Sequence, residues 1–296
     1  MMSLRDLLDG KKGVYINMEF IYSLMEKILP FSWMDYNFMK NAFLAILIIT
    51  PLFGILGTMI VNNKMAFFSD ALGHSALTGV AIGTLFGFSS TTIATLIFAV
   101  VFALLLNVIN RRNTVSTDTV ISVFSSLSMA IGLVILSRGG NFSKYSGLLV
   151  GDILSITADE IGYLVIIFIV TVLFWLFGFN KLLGAGVNTT LARSKGVNTN
   201  LMEDIFSVLI AVIVMSVIKW VGILIINALL ILPAAASRNI SSNMREYHLF
   251  SVLIAIFSGI TGLIASYYLG TATGPTIVII ASIIFFLTFF LRTGKK

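Results

Sequence analysis

Long apolar runs alternate with shorter polar links along most of this sequence. Seven runs have close to the 20 residues that a helix needs to cross a bilayer. We predict spans at 41–61, 68–87, 91–110, 118–137, 161–179, 249–268 and 275–292. This number of spans excludes a secreted protein and a single-span anchor. The pattern therefore predicts an all-α, polytopic transmembrane helical bundle.

One further apolar run, 205–233, is longer than the others and has Lys219 and Trp220 at its centre. As a single helix it would measure about 43 Å, which exceeds the roughly 30 Å of hydrocarbon. Two short crossings with a turn near Lys219 would place both side chains at an interface, with Pro233 at the inner end of the second. One long tilted helix is the alternative. The bundle is therefore predicted to have eight or nine spans.

The first 37 residues form an N-terminal extension before a transmembrane domain at 38–296. The first 15 residues lack the apolar core of a cleaved signal peptide. The stretch 18–36 mixes apolar and charged residues, which is typical of an amphipathic helix lying at the membrane surface. We expect this candidate interfacial helix to end near Pro30, with Trp33 and Tyr36 at headgroup depth. A tail without fixed structure is the alternative.

Composition supports a membrane protein, since 58% of the 296 residues are hydrophobic and 11% are charged. Soluble domains carry about 25% charged residues. The net charge of +6 is attributed to cytoplasmic Lys and Arg, and nucleic acid is not an expected partner. The links that share a side with the C-terminus hold most of these cations, so the C-terminus is predicted inside and the N-terminus outside. Five basic residues before the first span favour the opposite orientation.

The polar links and the missing motifs limit the possible functions. The chain has no Cys, which excludes disulfides and thiolate metal sites. It contains no G-x-x-x-x-G-K-[ST] phosphate loop and no H-E-x-x-H motif. The link 138–160 is predicted outside, and the link 180–204 inside, with a short helix at 189–195. The inner link is either a connector or a docking surface for another protein.

The segment "AFFSDALGHSALTGVAIG" (66–83) carries Asp70 and His74 within an apolar span. Residues four apart lie on one face of a helix, and an Asp at a span centre costs about 2.5–3.5 kcal/mol on insertion scales. Three interpretations fit: an Asp–His bond that positions helices, proton transfer by the His, or a divalent-metal site. A metal would need ligands from elsewhere. The neighbouring small residues Gly73, Ser75, Ala76, Gly79 and Gly83 suit either close packing or a cavity.

Five segments, in order, resemble one family. They are "MAFFSDALGHSALTGVAIGTLFG" (65–87), "GDILSITADEI" (151–161), "LARSKGVN" (191–198), "VGILIINALLILPAAASR" (221–238) and "TATGPTIVI" (271–279). Over about 38–292 the chain is similar to the permease subunits of zinc, manganese and iron ABC importers, the ABC-3 family.

The resemblance implies a homodimeric permease of a bacterial plasma membrane that works with two copies of a separate ABC ATPase. An extracytoplasmic metal-binding protein would deliver the ion, and no permanent cofactor is expected. Asp70 and His74 match the acid and the His associated with the metal path, so both should face a cavity or the dimer axis. Asn227, where Ser or Thr is common, is a further candidate ligand or gate residue, or a helix-to-helix hydrogen bond. The ATPase-contacting loop corresponds to Leu191, Ala192, Arg193, Ser194, Lys195 and Gly196.

Two functions other than a metal importer permease remain open. A secondary transporter or channel for divalent cations has the same composition, and would differ by working without an ATPase. An intramembrane aspartyl hydrolase would need Asp70 and Asp152 to share a proton at hydrogen-bond distance. The choice among zinc, manganese and iron is open, because His favours zinc whereas Asp and amide oxygens suit manganese or iron.

Overall fold

The computed structural model describes residues 10–29, 31–88, 91–112, 116–138 and 145–293. These ranges contain eleven α-helices and three short 3₁₀ turns, and no strand. The α-helices are α1 (Gly10–Ile28), α2 (Asn37–Asn62), α3 (Ala66–Leu85), α4 (Thr91–Arg112), α5 (Thr117–Arg138), α6 (Ala158–Val187), α7 (Thr189–Ser194), α8 (Thr199–Val221), α9 (Ile223–Ile240), α10 (Met244–Leu269) and α11 (Thr273–Thr293). The predicted all-α class is confirmed.

Seven of these helices are long and apolar enough to cross a membrane, namely α2, α4, α5, α6, α8, α10 and α11. Helix α3 occupies the predicted span 68–87, but with Asp70, His74 and several Gly residues it is not among these seven. Helix α9 is apolar and shorter. With α3 and α9, the described part of the chain forms a bundle of nine helices in a multi-pass membrane protein.

Polar caps begin the helices that follow the polar links. Asn188, Asn198 and Asn243 each accept a backbone N–H from the first turn of α7, α8 and α10 respectively. Thr157 and Glu160 form a reciprocal capping box at the start of α6. Such caps satisfy the amide groups that a helix start leaves unpaired. The links 180–204 and 138–160 thus fix where the adjoining helices begin.

Small residues bring the helices together at short distance. A methyl group at Gly57 of α2 would overlap the carbonyl oxygen of Leu230 in α9, and one at Gly79 of α3 would lie 2.9 Å from the Cα of Thr95 in α4. In a membrane, where lipid gives no hydrophobic drive for association, such close contact is a main source of helix affinity. The small residues of α3 therefore serve close packing against its neighbours, the first of the two uses predicted for them.

The long apolar run 205–233 is interrupted, as the two-crossing prediction requires, although Trp220 is buried rather than exposed at an interface. Helix α8 ends at Val221 and α9 starts at Ile223, with Gly222 at φ +85° and ψ 153° between them. This backbone conformation is open essentially to Gly alone. The ammonium group of Lys219, three residues before the break, lies 2.9 Å from a carboxylate oxygen of Glu160 at the start of α6. Pairing with Glu160 compensates the Lys charge.

The break lies beside the middle of α2. Helices α2 and α9 run in the same direction, because Tyr247 of α10 reaches the end of both: its hydroxyl donates to Thr58 and its carbonyl accepts from Ser237. Since Leu230 lies against Gly57, Gly222 is level with the middle of α2. Helix α9 continues through Pro233 to Ile240, so the prediction that Pro233 marks its inner end is wrong. Membrane helices tolerate Pro where neighbouring helices satisfy the freed backbone groups.

The N-terminal extension contains α1, which ends at Ile28, close to the expected position. Pro30 lies outside the described residues. Tyr36 is exposed, but Trp33 is only 2% exposed, stacked on Phe31 and packed against Phe43 of α2. Trp33 therefore packs within the protein, and its position at headgroup depth stays a prediction.

Candidate functional site

Asp70 and His74 lie on one face of α3, in its first turns. Helix α3 starts only four residues after α2 ends, and Asp70 is its fifth residue. The Asp70 Oδ1 and His74 Nε2 atoms are 3.6 Å apart. This distance is longer than a good hydrogen bond, so the two side chains share a face without being locked to each other.

Asn227 of α9 joins these two residues although it is 157 positions from Asp70 in sequence. Its Nδ2 donates to Asp70 Oδ1 over 2.6 Å. The contact is possible because Gly73 has no side chain: a methyl group there would lie 3.1 Å from Ile223 and 3.4 Å from the Asn227 amide nitrogen. The helix break at Gly222 sets the position of Asn227, which follows it by five residues.

Several polar atoms of this group have no partner within the described residues. His74 Nδ1 and Asn227 Oδ1 are buried without a hydrogen bond, while the side chain of Asp70 is 46% exposed and that of His74 is 26% exposed. Buried polar groups normally find partners, so unpaired acceptors beside a half-open carboxylate are an arrangement suited to a ligand. A carboxylate, an imidazole and an amide oxygen are all donors that divalent transition metals accept.

The three side chains could supply only part of a metal shell. Among the described residues, no cluster of three or more His, Cys, Asp and Glu occurs that could hold an ion. Asp70, His74 and Asn227 supply at most three ligands, and the exposed side of Asp70 leaves room for water or for groups from another chain. A weak, open shell suits an ion that must be released.

A cavity of about 160 Å³ lies at the break between α8 and α9, and other residues form it. Its wall includes Thr50, Gly151, Asp152, Trp220 and Thr273. Asp70 and His74 do not line it, and the expectation that they face a cavity or the dimer axis stays a prediction. Asp152 and Asp70 have different partners, since Asp152 accepts from the Leu154 amide in a 3₁₀ turn. The proton-sharing pair of the hydrolase alternative is not formed.

The inner link contains the predicted short helix, α7, which presents a polar surface. Of the six residues expected to contact an ATPase, Leu191, Arg193, Ser194, Lys195 and Gly196 are exposed, and Ala192 is buried. The Arg193 guanidinium donates to Thr199 and Asn200 at the start of α8. Helix α7 is thereby fixed to α8, the helix that leads to the break.

A polar network at the inner ends of α4 and α8 is not foreseen by the sequence analysis. Arg111 forms a two-pronged ion pair with Asp204, at 3.0 and 2.7 Å, and Asn107 donates to Asp204 over 2.9 Å. Bidentate Arg–carboxylate pairs have a defined geometry as well as strength. The network holds the start of α8, and hence α7, against α4. In the sequence, the only sign of this network is the charged residues at the ends of the predicted spans.

Comparison with known proteins places the whole bundle in one group. The model of the family described as "ABC 3 transport family" matches residues 35–292. The high-affinity zinc uptake system membrane protein ZnuB of Haemophilus influenzae is 32% identical over 238 residues, 80% of this chain and 91% of that protein. The manganese transport system membrane protein MntC of Listeria monocytogenes is 25% identical over 256 residues, 86% of this chain and 91% of that protein.

A solved structure has the same fold. The structure titled PsaBC from Streptococcus pneumoniae in complex with Fab superposes with a TM-score of 0.76 at 22% identity. The alignment covers 90% of this chain and 94% of that one. The similarity to this experimental fold therefore extends over nearly the full length of the chain.

Proposed function

The chain belongs to the ABC 3 transport family, and we propose that it is the permease subunit of an ATP-driven importer of a divalent transition metal ion. One observation carries the proposal: a carboxylate, an imidazole and an amide converge inside a transmembrane bundle that the family match covers from residue 35 to 292. Ionisable residues at such a depth commonly mark an ion pathway.

In this proposal the ion passes Asp70 and His74 on its way inward, and Asn227 is the third contact. Asp70 supplies the charge that offsets a divalent cation, and neutral His74 supplies a nitrogen donor. The Asn227 amide holds Asp70 Oδ1 at 2.6 Å, leaving its second oxygen free for the ion. The remaining ligands come from water or from a second copy of the chain in a homodimer, toward which the open side of Asp70 would turn.

Zinc and manganese are the favoured cargoes. ZnuB and MntC relatives carry zinc and manganese in their names, and the mixed donor set of this chain accepts either ion. Imidazole suits zinc, whereas carboxylate, amide and water oxygens suit manganese. Iron is a third candidate, which only the chemistry of these donor atoms supports.

Energy for transport is proposed to come from an ABC ATPase on a separate chain. The sequence contains no phosphate loop with which to bind ATP, and α7 exposes a polar surface on the inner link. Rearrangement of the ATPase would move α7, and through Arg193 and its contacts move α8. An extracytoplasmic binding protein would load the ion from the other side. The chain itself catalyses no covalent chemistry.

Uptake measurements test this function. We expect cells that lack their own zinc and manganese importers to take up radioactive zinc or manganese when they express this chain with a cognate ABC ATPase and metal-binding protein. An ATPase variant that cannot hydrolyse ATP should abolish the uptake. Uptake that persists with the inactive ATPase would instead establish the secondary transporter or channel.

Crosslinking tests the proposed role of α7. Because the chain has no Cys, the variants Leu191→Cys and Lys195→Cys each carry one reactive thiol. Both positions are exposed, so we expect disulfide crosslinks to a Cys-bearing ATPase in inside-out vesicles. Ala192→Cys is the matched control, since its buried position should prevent the crosslink. Labelling of Leu191→Cys only from outside intact cells would contradict the cytoplasmic location.

A further inference from the structure

Helix α1 has three distinct faces along residues 18–28. Met18, Tyr22 and Met25 face the bundle, and the two Met side chains are buried. An exposed polar face contains Glu19, Ser23 and Glu26. A third, apolar face is also exposed: Phe20 is 69% exposed, Leu24 46% and Ile28 66%. Residues four apart line one side of a helix, so these three form a continuous apolar stripe beside the polar face.

Two contacts fix α1 to the end of α2 that lies opposite α7. The Tyr22 hydroxyl donates to Asn41, and the Lys40 ammonium donates to Glu26. The side chain of Lys40 is buried, with only 4% of its surface exposed. Asn41 and Lys40 belong to the first two turns of α2. Helix α1 therefore lies at the end of the bundle opposite α7, which is the outer end under the proposed cytoplasmic location of α7, and it lies outside the residues that the family model matches.

A cluster of aromatic rings marks the membrane interface at this same level. Tyr36, just before α2, lies 5.5 Å from the ring of Phe38 and 6.4 Å from that of Tyr267. Tyr267 in turn packs against exposed Tyr268 at the outer end of α10. Tyr is enriched where a span meets the headgroups. The stripe on α1 is thus close to the boundary between headgroups and acyl chains.

We propose that α1 is an interfacial helix that lies on the phospholipid surface of the outer leaflet. Phe20, Leu24 and Ile28 would enter the acyl region, while Glu19 and Ser23 face water, as in other helices that lie in the membrane plane. A surface helix needs an apolar face of this kind, a polar face beside it and a position at headgroup level. Here the third face, with Tyr22 and Met25, additionally attaches the helix to the transporter.

Spin labelling tests the proposal on the full chain in vesicles of phosphatidylethanolamine and phosphatidylglycerol. The variants Leu24→Cys and Ile28→Cys place a nitroxide on the stripe, and Ser23→Cys and Glu19→Cys place it on the polar face. We expect the stripe labels to collide more with oxygen, which dissolves in lipid, than with a water-soluble nickel chelate. The ratio of the two collision rates should be several-fold higher at Leu24 than at Ser23.

Two results would overturn the proposal. Equal ratios at Leu24 and Ser23 would show that the stripe faces water. Low collision rates with both reagents at Leu24 would show that protein covers the stripe, either a second copy of the chain or a binding partner. Unchanged metal uptake by each single-Cys variant would verify that the label reports on a folded transporter, so failure of the lipid assignment is separable from failure of the transport function.

Discussion

Metal uptake is expected to fall by roughly 100-fold or more when Asp70 or His74 is replaced by Ala. Even partners one step removed from a metal cost about 10–100-fold when they are lost, and these two side chains are proposed to touch the ion. Removing Asp70 also removes the charge that offsets a divalent cation inside the bundle. Membrane insertion should persist, because neither side chain fills the core: Asp70 is 46% exposed and His74 is 26% exposed.

The measurement is uptake of radioactive zinc or manganese, normalised to the amount of permease in the membrane. Asp118→Asn is a matched control, since it neutralises an exposed carboxylate at the start of α5, far along the chain from the site. Asn227→Ser, which keeps a side chain that can hydrogen-bond to Asp70, should retain more activity than Asn227→Leu. Wild-type uptake in both Asp70→Ala and His74→Ala would reject the proposed metal path.

The spans were predictable because hydropathy alone determines which segments enter a membrane. The predicted boundaries of α2, α4, α5 and α10 differ from the observed ones by at most five residues. The i, i+4 relation of Asp70 and His74 is equally local, since it depends only on helical geometry. Both features follow from short stretches of sequence.

Long-range contacts were not predictable in the same way. The sequence identifies Asn227 as a candidate, yet its hydrogen bond to Asp70 needs Gly73 to admit α9 and Gly222 to place it. The pairing of Arg111 with Asp204 spans 93 positions, and neither residue carries a pattern that names its partner. A single sequence gives periodicity, but it does not state which helix faces are neighbours.

Side chains with two acceptable environments are the hardest to place from sequence. Trp33 could contact lipid or pack within the protein, and its ring is buried against Phe43. Pro233 could end a helix or continue within one, and neighbouring helices decide in favour of the second. In each case the local preference is weak compared with the packing that surrounds it.

A second large effect is expected at the break, where Gly222→Ala should destabilise the transporter by several kcal/mol. The φ of +85° at Gly222 alone costs an L-residue about 1–3 kcal/mol. In addition, the new methyl group would overlap the carbonyl carbon and oxygen of Val150 in the outer link. Backbone atoms cannot rotate away as a side chain can, so α9 or the outer link must move. Since Asn227 follows the break by one turn, uptake should fall together with stability.

Substitutions at three other glycines separate the backbone cost at Gly222 from the cost of the steric overlap. Gly151→Ala should be about as damaging as Gly222→Ala, because Gly151 has φ +71° and its methyl group would overlap Val221 and Gly222. Gly270→Ala meets no atom within 4 Å at φ +62°, so it should cost only the backbone term, roughly 1–2 kcal/mol. Gly147→Ala has neither problem and should be nearly neutral. Thermal unfolding of the four purified variants in detergent measures the order. If Gly222→Ala unfolded at the same temperature as Gly270→Ala, the close contact between the outer link and the break would be refuted, because only the backbone term would then be left to explain both losses.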